Sequence, residues 1–141
     1  MKKIIFILLI LFNTGLFSCK TEKITVPSEP LKNVNGSWKI IAATRNGEDL
    51  TTRFDFSQFR LNLSDSTYTI DSLVPFIVNK SGKWHFNDPV YPFSIYFTQM
   101  DSTTKVSPIL YPVVNGQRNI IMTLSPGCSL ITYQYSLQKA N

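Results

Sequence analysis

The sequence predicts an all-β domain in which short antiparallel strands are joined by tight turns. Aromatic residues make up 13% of the chain, and β-branched residues are also frequent. Several short segments alternate apolar and polar residues with a period of two, and Asn, Asp, Gly, Ser and Pro lie between these segments. No segment shows the 3.6-residue periodicity of a long amphipathic helix.

The N-terminus predicts a secretory signal peptide. Lys2 and Lys3 precede the apolar run IIFILLILF of residues 4–12, and a short positive head before an apolar run is typical of such signals. A membrane-spanning helix needs about 20 apolar residues, and this run stops well short of that at Asn13. We therefore expect residues 1–18 to be cleaved.

The residues after this run, Leu16-Phe17-Ser18-Cys19, resemble a bacterial lipobox. The resemblance implies that Cys19 begins the mature chain as a diacylglyceryl cysteine with a further acyl chain, such as palmitate, on its amine. Each buried methylene contributes about 0.8 kcal/mol, so two or three chains anchor a protein stably. Only the thiol can accept the lipid. The alternative is a buried Cys19 in a clipped or retained leader.

The chain divides into three parts on this interpretation. Residues 1–18 are the signal peptide, and residues 19–33 are the lipidated cysteine followed by a flexible tether, because this segment is polar and contains Pro27 and Pro30. Residues 34–141 form the folded domain. The second mature residue, Lys20, is not the aspartate that retains some lipoproteins at the inner membrane. We therefore expect an outer-membrane lipoprotein that faces the periplasm or the cell surface.

Alternation and turn residues place the elements of the domain in order. The first strand covers residues 36–45 and ends at Asn46-Gly47. Residues 49–56 break the alternation and predict a short helical turn. Further strands are predicted at residues 59–64, 67–71, 75–79, 82–87, 93–98, 104–114, 119–124 and 129–137. Such a meander protects its edges either by closing into a barrel or by packing two sheets as a sandwich.

One motif favours the barrel. Gly36-x-Trp38 in NGSWKI, residues 35–40, resembles the Gly-x-Trp signature of the lipocalin and avidin superfamily. In that superfamily the glycine allows close approach and the tryptophan plugs the closed end of the barrel. The chain departs from the lipocalin pattern in two ways: it has no Thr-Asp-Tyr triplet, and Arg118 is a poor match to the late arginine that packs over the tryptophan.

The order of motifs extends the resemblance to most of the domain. A lipobox, a W-x-I strand, an NG turn and an FDF segment follow one another as in the lipocalin-like lipoproteins of unknown function from the Bacteroides group. A later GKW, with Gly82 and Trp84, also recurs in such lipoproteins. The resemblance implies an antiparallel up-and-down β-barrel of about eight strands, and it implies no activity.

Two functions are compatible with this barrel. Alternation predicts inward aromatic side chains that could line a ligand cavity or fill the barrel, since a small eight-stranded barrel is often just wide enough for its own side chains. A cavity gives a binding module for a small apolar or glycan-like molecule, which we favour by analogy with the superfamily. A filled interior gives a structural or interaction subunit of an envelope complex. The candidate residues are Phe59, Tyr68, Trp84, Phe86, Phe93, Tyr133 and Tyr135.

The sequence does not predict an enzyme, a metal site or a cofactor. His85 is the one histidine, and alternation points it away from the core. Cys128 has no partner in the chain once Cys19 is lipidated, and we expect it to be packed. No nucleophile elbow or Gly-rich phosphate loop is present. The chain from Cys19 onward carries a formal charge of +3 that is scattered, so we expect no nucleic-acid partner.

Three short Asp-Ser triplets resemble the acceptor pattern of Bacteroides-type O-glycosylation. Their serines are Ser66, Ser72 and Ser102. Short polar turns also produce such triplets by chance, so both alternatives stay open.

Overall fold

The computed structural model describes residues 29–75, 78–125 and 130–140. The predicted signal peptide, Cys19, most of the tether and Cys128 lie outside these ranges. None of the described residues is helical, so the described ranges contain no membrane-spanning helix.

Ten strands are present in the described ranges, and eight of them close into an antiparallel barrel. Going around the barrel, the order is β1-β3-β4-β5-β6-β7-β9-β10, and β10 pairs with β1. The two-residue strands β2 and β8 pair with β1 and β9. The predicted eight-stranded lipocalin-like barrel is therefore confirmed. The strands are β1 (Gly36–Arg45), β2 (Glu48–Asp49), β3 (Arg60–Ser64), β4 (Thr67–Asp71), β5 (Gly82–Phe86), β6 (Ser94–Gln99), β7 (Thr104–Leu110), β8 (Val113–Val114), β9 (Gln117–Leu124) and β10 (Tyr133–Lys139).

Several predicted elements differ in detail. Residues 49–56 form the end of β2 and a series of turns, and not a short helix. The segment predicted as a strand at residues 75–79 is described at three positions, none of them in a strand. The predicted strand at residues 104–114 is divided into β7 and β8 by a break at Tyr111 and Pro112, because proline lacks the N–H that a continued ladder requires.

A β-bulge shifts the inward face of β1. The register with β10 slips between Ile40 and Ala42, so one residue is added on the β1 side. Trp38 and Ile40 are buried before the bulge, and Ala43 is buried after it. The bulge thus lets a ten-residue strand keep apolar side chains inside while it bends around the barrel.

The strand directions place the connections at two ends of the barrel. We call one the closed end; it carries the start of β1, the β3–β4 turn, the β5–β6 connection and the end of β10. We call the other the mouth; it carries the β1–β3, β4–β5 and β9–β10 connections and the β6–β7 turn.

Trp38 plugs the closed end. Its side chain is fully buried, and its indole Nε1–H donates a hydrogen bond of 2.8 Å to the backbone oxygen of buried Val34. The cation over the indole is Lys139, whose Nζ lies 5.8 Å from the ring centroid, because Lys139 is the register partner of Trp38. Arg118 instead lies against the ring of Tyr111, at 5.2 Å.

Candidate functional site

The middle of the barrel is filled by side chains. Phe59, Tyr68 and Trp84 are buried in the core, and Phe86 packs against it. The Tyr68 ring meets Phe97 edge-on at 4.8 Å, and the Trp84 ring meets Phe86 edge-on at 5.2 Å. Four of the seven aromatic candidates therefore pack with one another or with other core side chains.

Phe93 does not face the interior. Its side chain is 67% exposed, so its predicted inward orientation is wrong. The physical reason is that β6 begins one residue later, at Ser94. The side-chain oxygen of Asn87 accepts hydrogen bonds from the backbone N–H groups of both Phe93 and Ser94, at 3.0 and 2.7 Å. Phe93 thus belongs to the β5–β6 connection, where the alternation of the strand does not apply.

The remaining two candidates line a cavity at the mouth. This cavity has a volume of about 260 Å³, a little below the roughly 300 Å³ at which ligand sites commonly begin. It lies between the β1–β3 connection, the β4–β5 connection and the start of β10. Its lining residues are Arg45, Leu50, Arg53, Phe54, Phe56, Pro75, Tyr133 and Tyr135.

The β1–β3 connection forms one wall because its backbone is tied to β1. The Leu50 N–H donates to the oxygen of Ala43 at 2.8 Å, and the Thr51 hydroxyl oxygen accepts from the Ala43 N–H at 3.1 Å. The Asp49 carboxylate accepts the Thr51 N–H at 2.8 Å, a local turn that Asp favours. These bonds fix the segment that carries Phe54 and Phe56.

Four aromatic rings follow one another along the cavity wall. Phe54 and Phe56 lie 6.1 Å apart, and Phe56 meets Tyr135 edge-on at 6.1 Å. Tyr135 and Tyr133 are nearly parallel, with 7° between their planes. The Tyr135 hydroxyl donates to the Pro75 oxygen at 2.8 Å, and burial raises the pKa of Tyr135 to about 12. The wall therefore offers flat apolar faces held in place by packing and by a hydrogen bond.

Most of this wall could not be predicted from the alternation of the strands. That alternation predicts inward aromatic residues only within strands, whereas Phe54 and Phe56 lie in a connection. The FDF segment, which was part of the family resemblance, contains both residues and was the available signal. The sequence did not predict that Arg45 and Arg53 line a cavity, because cations at the ends of strands and in loops usually face solvent.

The described residues hold no group of three or more His, Cys, Asp and Glu that could bind a metal ion. His85 is exposed on the outer face, where its ring stacks on Tyr96 at 4.7 Å. The serines Ser66, Ser72 and Ser102 lie exposed in turns or bends, and their glycosylation stays a prediction.

Tyr68 carries a buried hydroxyl that has no hydrogen-bond partner among the described residues. Burial, with a smaller contribution from the Asp101 carboxylate, raises its pKa to about 12. A tyrosine in an unfolded chain has a pKa near 10, so the unfolded chain releases this proton at lower pH than the folded one. The contribution of Tyr68 to the free energy of unfolding is therefore fully present below about pH 10 and is lost as the pH rises through 12.

We expect Tyr68→Phe to be at least as stable as the wild type at pH 7, because it removes a buried hydroxyl without a partner. The difference in the free energy of unfolding between the variant and the wild type should grow at pH 11, because the variant no longer loses stability through Tyr68. Both proteins still lose stability at this pH through Tyr135. Urea unfolding at the two pH values measures both effects. A variant that is less stable at pH 7 and loses as much stability as the wild type at pH 11 would contradict the assignment.

Comparison with known families shows the family to which the chain belongs. The family described as "Domain of unknown function (DUF5004)" matches residues 17–138, which include all of β1 to β9 and all but the last residue of β10. The chain therefore belongs to the DUF5004 family. Searches of curated proteins and of solved structures found no match.

Proposed function

We propose that this protein is an outer-membrane-anchored lipoprotein that binds a small, largely apolar molecule in the cavity at the mouth of its barrel. The observation that carries the proposal is the aromatic wall formed by Phe54, Phe56, Tyr133 and Tyr135. Ligand pockets are mostly apolar and are often found at the mouths of β-barrels. Flat aromatic faces also stack on planar ligands or on sugar rings.

The proposal includes no catalytic step and no cofactor. The described residues that line the cavity include no His, Cys, Ser, Asp or Glu. His, Cys, Ser, Asp and Glu are the most common general bases and nucleophiles of enzymes, so the proposal is one of binding.

The position of the chain entry supports an anchor that leaves the cavity accessible. Val34 lies at the closed end, where its oxygen accepts the Trp38 indole N–H. Fourteen residues lie between Cys19 and Val34, a reach of at most about 50 Å. An acylated Cys19 would therefore attach the barrel at its closed end, opposite the cavity, and a tether of this length leaves the mouth accessible.

The anchor is tested by replacing Cys19. Cys19→Ser should shift the protein almost completely from the membrane fraction to the soluble fraction, because serine does not accept the diacylglyceryl group. Cys128→Ser is the matched control and should stay membrane-bound. Fractionation followed by immunoblotting measures both variants. A Cys19→Ser protein that stays in the membrane fraction like the control would refute the anchor.

The cavity is tested with the neutral fluorescent probe N-phenyl-1-naphthylamine. Phe54 is 51% exposed and lines the cavity, so Phe54→Ala should weaken probe binding by about 3- to 10-fold with little loss of stability. Phe93→Ala is the matched control, since it removes a ring at the closed end that is also more than half exposed. Equal affinities for the two variants would place the probe elsewhere.

A second function, a subunit of an envelope complex, is favoured by exposed apolar side chains near the closed end. Tyr91, Phe93, Leu110 and Val113 are all largely exposed. The Ile109 N–H donates to the Phe93 oxygen at 3.0 Å, which brings Phe93 beside the end of β7. Exposed apolar groups that cluster in this way are typical of protein contact surfaces.

A further inference from the structure

We infer that the molecule held at the mouth is a planar aromatic anion, one that carries a carboxylate, sulfonate or phosphate group on its ring system. This inference rests on the proposed binding of a small molecule in the cavity. It adds the charge and the shape of the ligand to that proposal.

The charge follows from the two guanidinium groups in the cavity lining. Arg45 and Arg53 contribute the ionised side chains there, and no Asp or Glu is among the described lining residues. Guanidinium groups bind carboxylate, sulfonate and phosphate oxygens through two parallel N–H donors. A cationic ligand would meet two like charges at this wall.

Both arginines are available to a ligand. Neither forms an ion pair with any residue that the structure describes; the salt bridges there are Lys32–Glu29 and Lys80–Asp101. Three acidic residues, Glu48, Asp49 and Asp55, lie in the β1–β3 connection that also carries Arg53. Glu48 is the register partner of Arg45 but forms no salt bridge with it in the described chain.

The other two acids have partners of their own. Asp49 accepts hydrogen bonds from Thr51, which are the main reason that its pKa is lowered, and Arg53 contributes least. The Asp55 carboxylate accepts the Ser57 N–H at 2.9 Å. The donors of Arg45 and Arg53 thus remain free to bind an oxyanion.

The planar shape follows from the rings next to these cations. The guanidinium carbon of Arg45 lies 5.9 Å from the centroid of the Tyr133 ring, a cation–π contact that holds it at the cavity wall. Tyr133 is nearly parallel to Tyr135, whose edge contact with Phe56 continues the wall. A flat ring can stack on this wall while its acidic group reaches Arg45 or Arg53.

The test compares two probes that differ by one sulfonate. 8-Anilinonaphthalene-1-sulfonate has the ring system of N-phenyl-1-naphthylamine with one added negative charge. The wild type should bind the sulfonated probe about tenfold more tightly than the neutral one. The double variant Arg45→Gln, Arg53→Gln should lose about this factor for the sulfonated probe and keep its affinity for the neutral probe.

Lys105→Gln is the matched control, because it removes an exposed cation from β7, outside the cavity lining. It should leave both affinities unchanged, and thermal unfolding verifies that each variant is folded. If the two probes bind equally and the arginine variant binds both as the wild type does, the anionic ligand is refuted and the cavity proposal stands. If the folded wild type binds neither probe, the cavity proposal fails as well.

Discussion

Gly82→Ala is expected to destabilise the barrel by more than about 3 kcal/mol, beyond the usual cost of overpacking a core. Gly82 begins β5 and lies between Tyr68 of β4 and Gln99 of β6. A Cβ at this position would lie 2.1 Å from the backbone oxygen of Thr98 and 2.9 Å from the Cα of Gln99. These atoms belong to the backbone of the next strand, so β5 and β6 would have to separate.

Urea unfolding followed by circular dichroism measures this effect. Lys83→Ala is the matched control: it changes the next residue of the same strand, whose side chain is exposed, and should cost less than about 0.5 kcal/mol. Similar midpoints for Gly82→Ala and Lys83→Ala would show that the two strands do not approach as closely as the structure places them.

Trp38→Ala is expected to cost about 3 to 5 kcal/mol, a large part of the stability of a small domain. The substitution leaves a void at the closed end and removes the hydrogen bond of 2.8 Å to the Val34 oxygen. Trp38→Phe should be intermediate, because it keeps part of the buried apolar surface but leaves the Val34 oxygen without its donor. Thermal or urea unfolding of the wild type and both variants ranks their stabilities. An alanine variant that unfolds as the wild type does would contradict the role of Trp38 as a plug.

The strands with regular alternation could be predicted from the sequence. In β3, Leu61 and Leu63 are buried, and in β6, Ile95 and Phe97 are buried, as their period of two requires. The bulge in β1 could not be predicted, because it depends on the register with β10, about a hundred residues away along the chain. The alternating pattern predicts an inward Phe93, because the pattern alone does not show that β6 begins one residue later.

The cavity could be predicted only in part, for a related reason. Its walls come from the β1–β3 connection and from the start of β10, so Phe56 and Tyr135 meet only after the barrel has closed. Alternation identified Tyr133 and Tyr135 as inward aromatic residues, but it does not give the volume left between them and other elements. Whether an inward ring fills the core, as Tyr68 does, or lines a cavity depends on its distance from the mouth.

We propose that a small molecule binds among the aromatic rings at the mouth. Intermolecular nuclear Overhauser effects between the folded wild type and bound N-phenyl-1-naphthylamine test it most directly, because they report which protons lie within about 5 Å of the probe. We expect contacts from the probe to the ring protons of Phe54, Phe56 and Tyr133. Contacts confined to Tyr91 and Phe93, at the closed end, would contradict it.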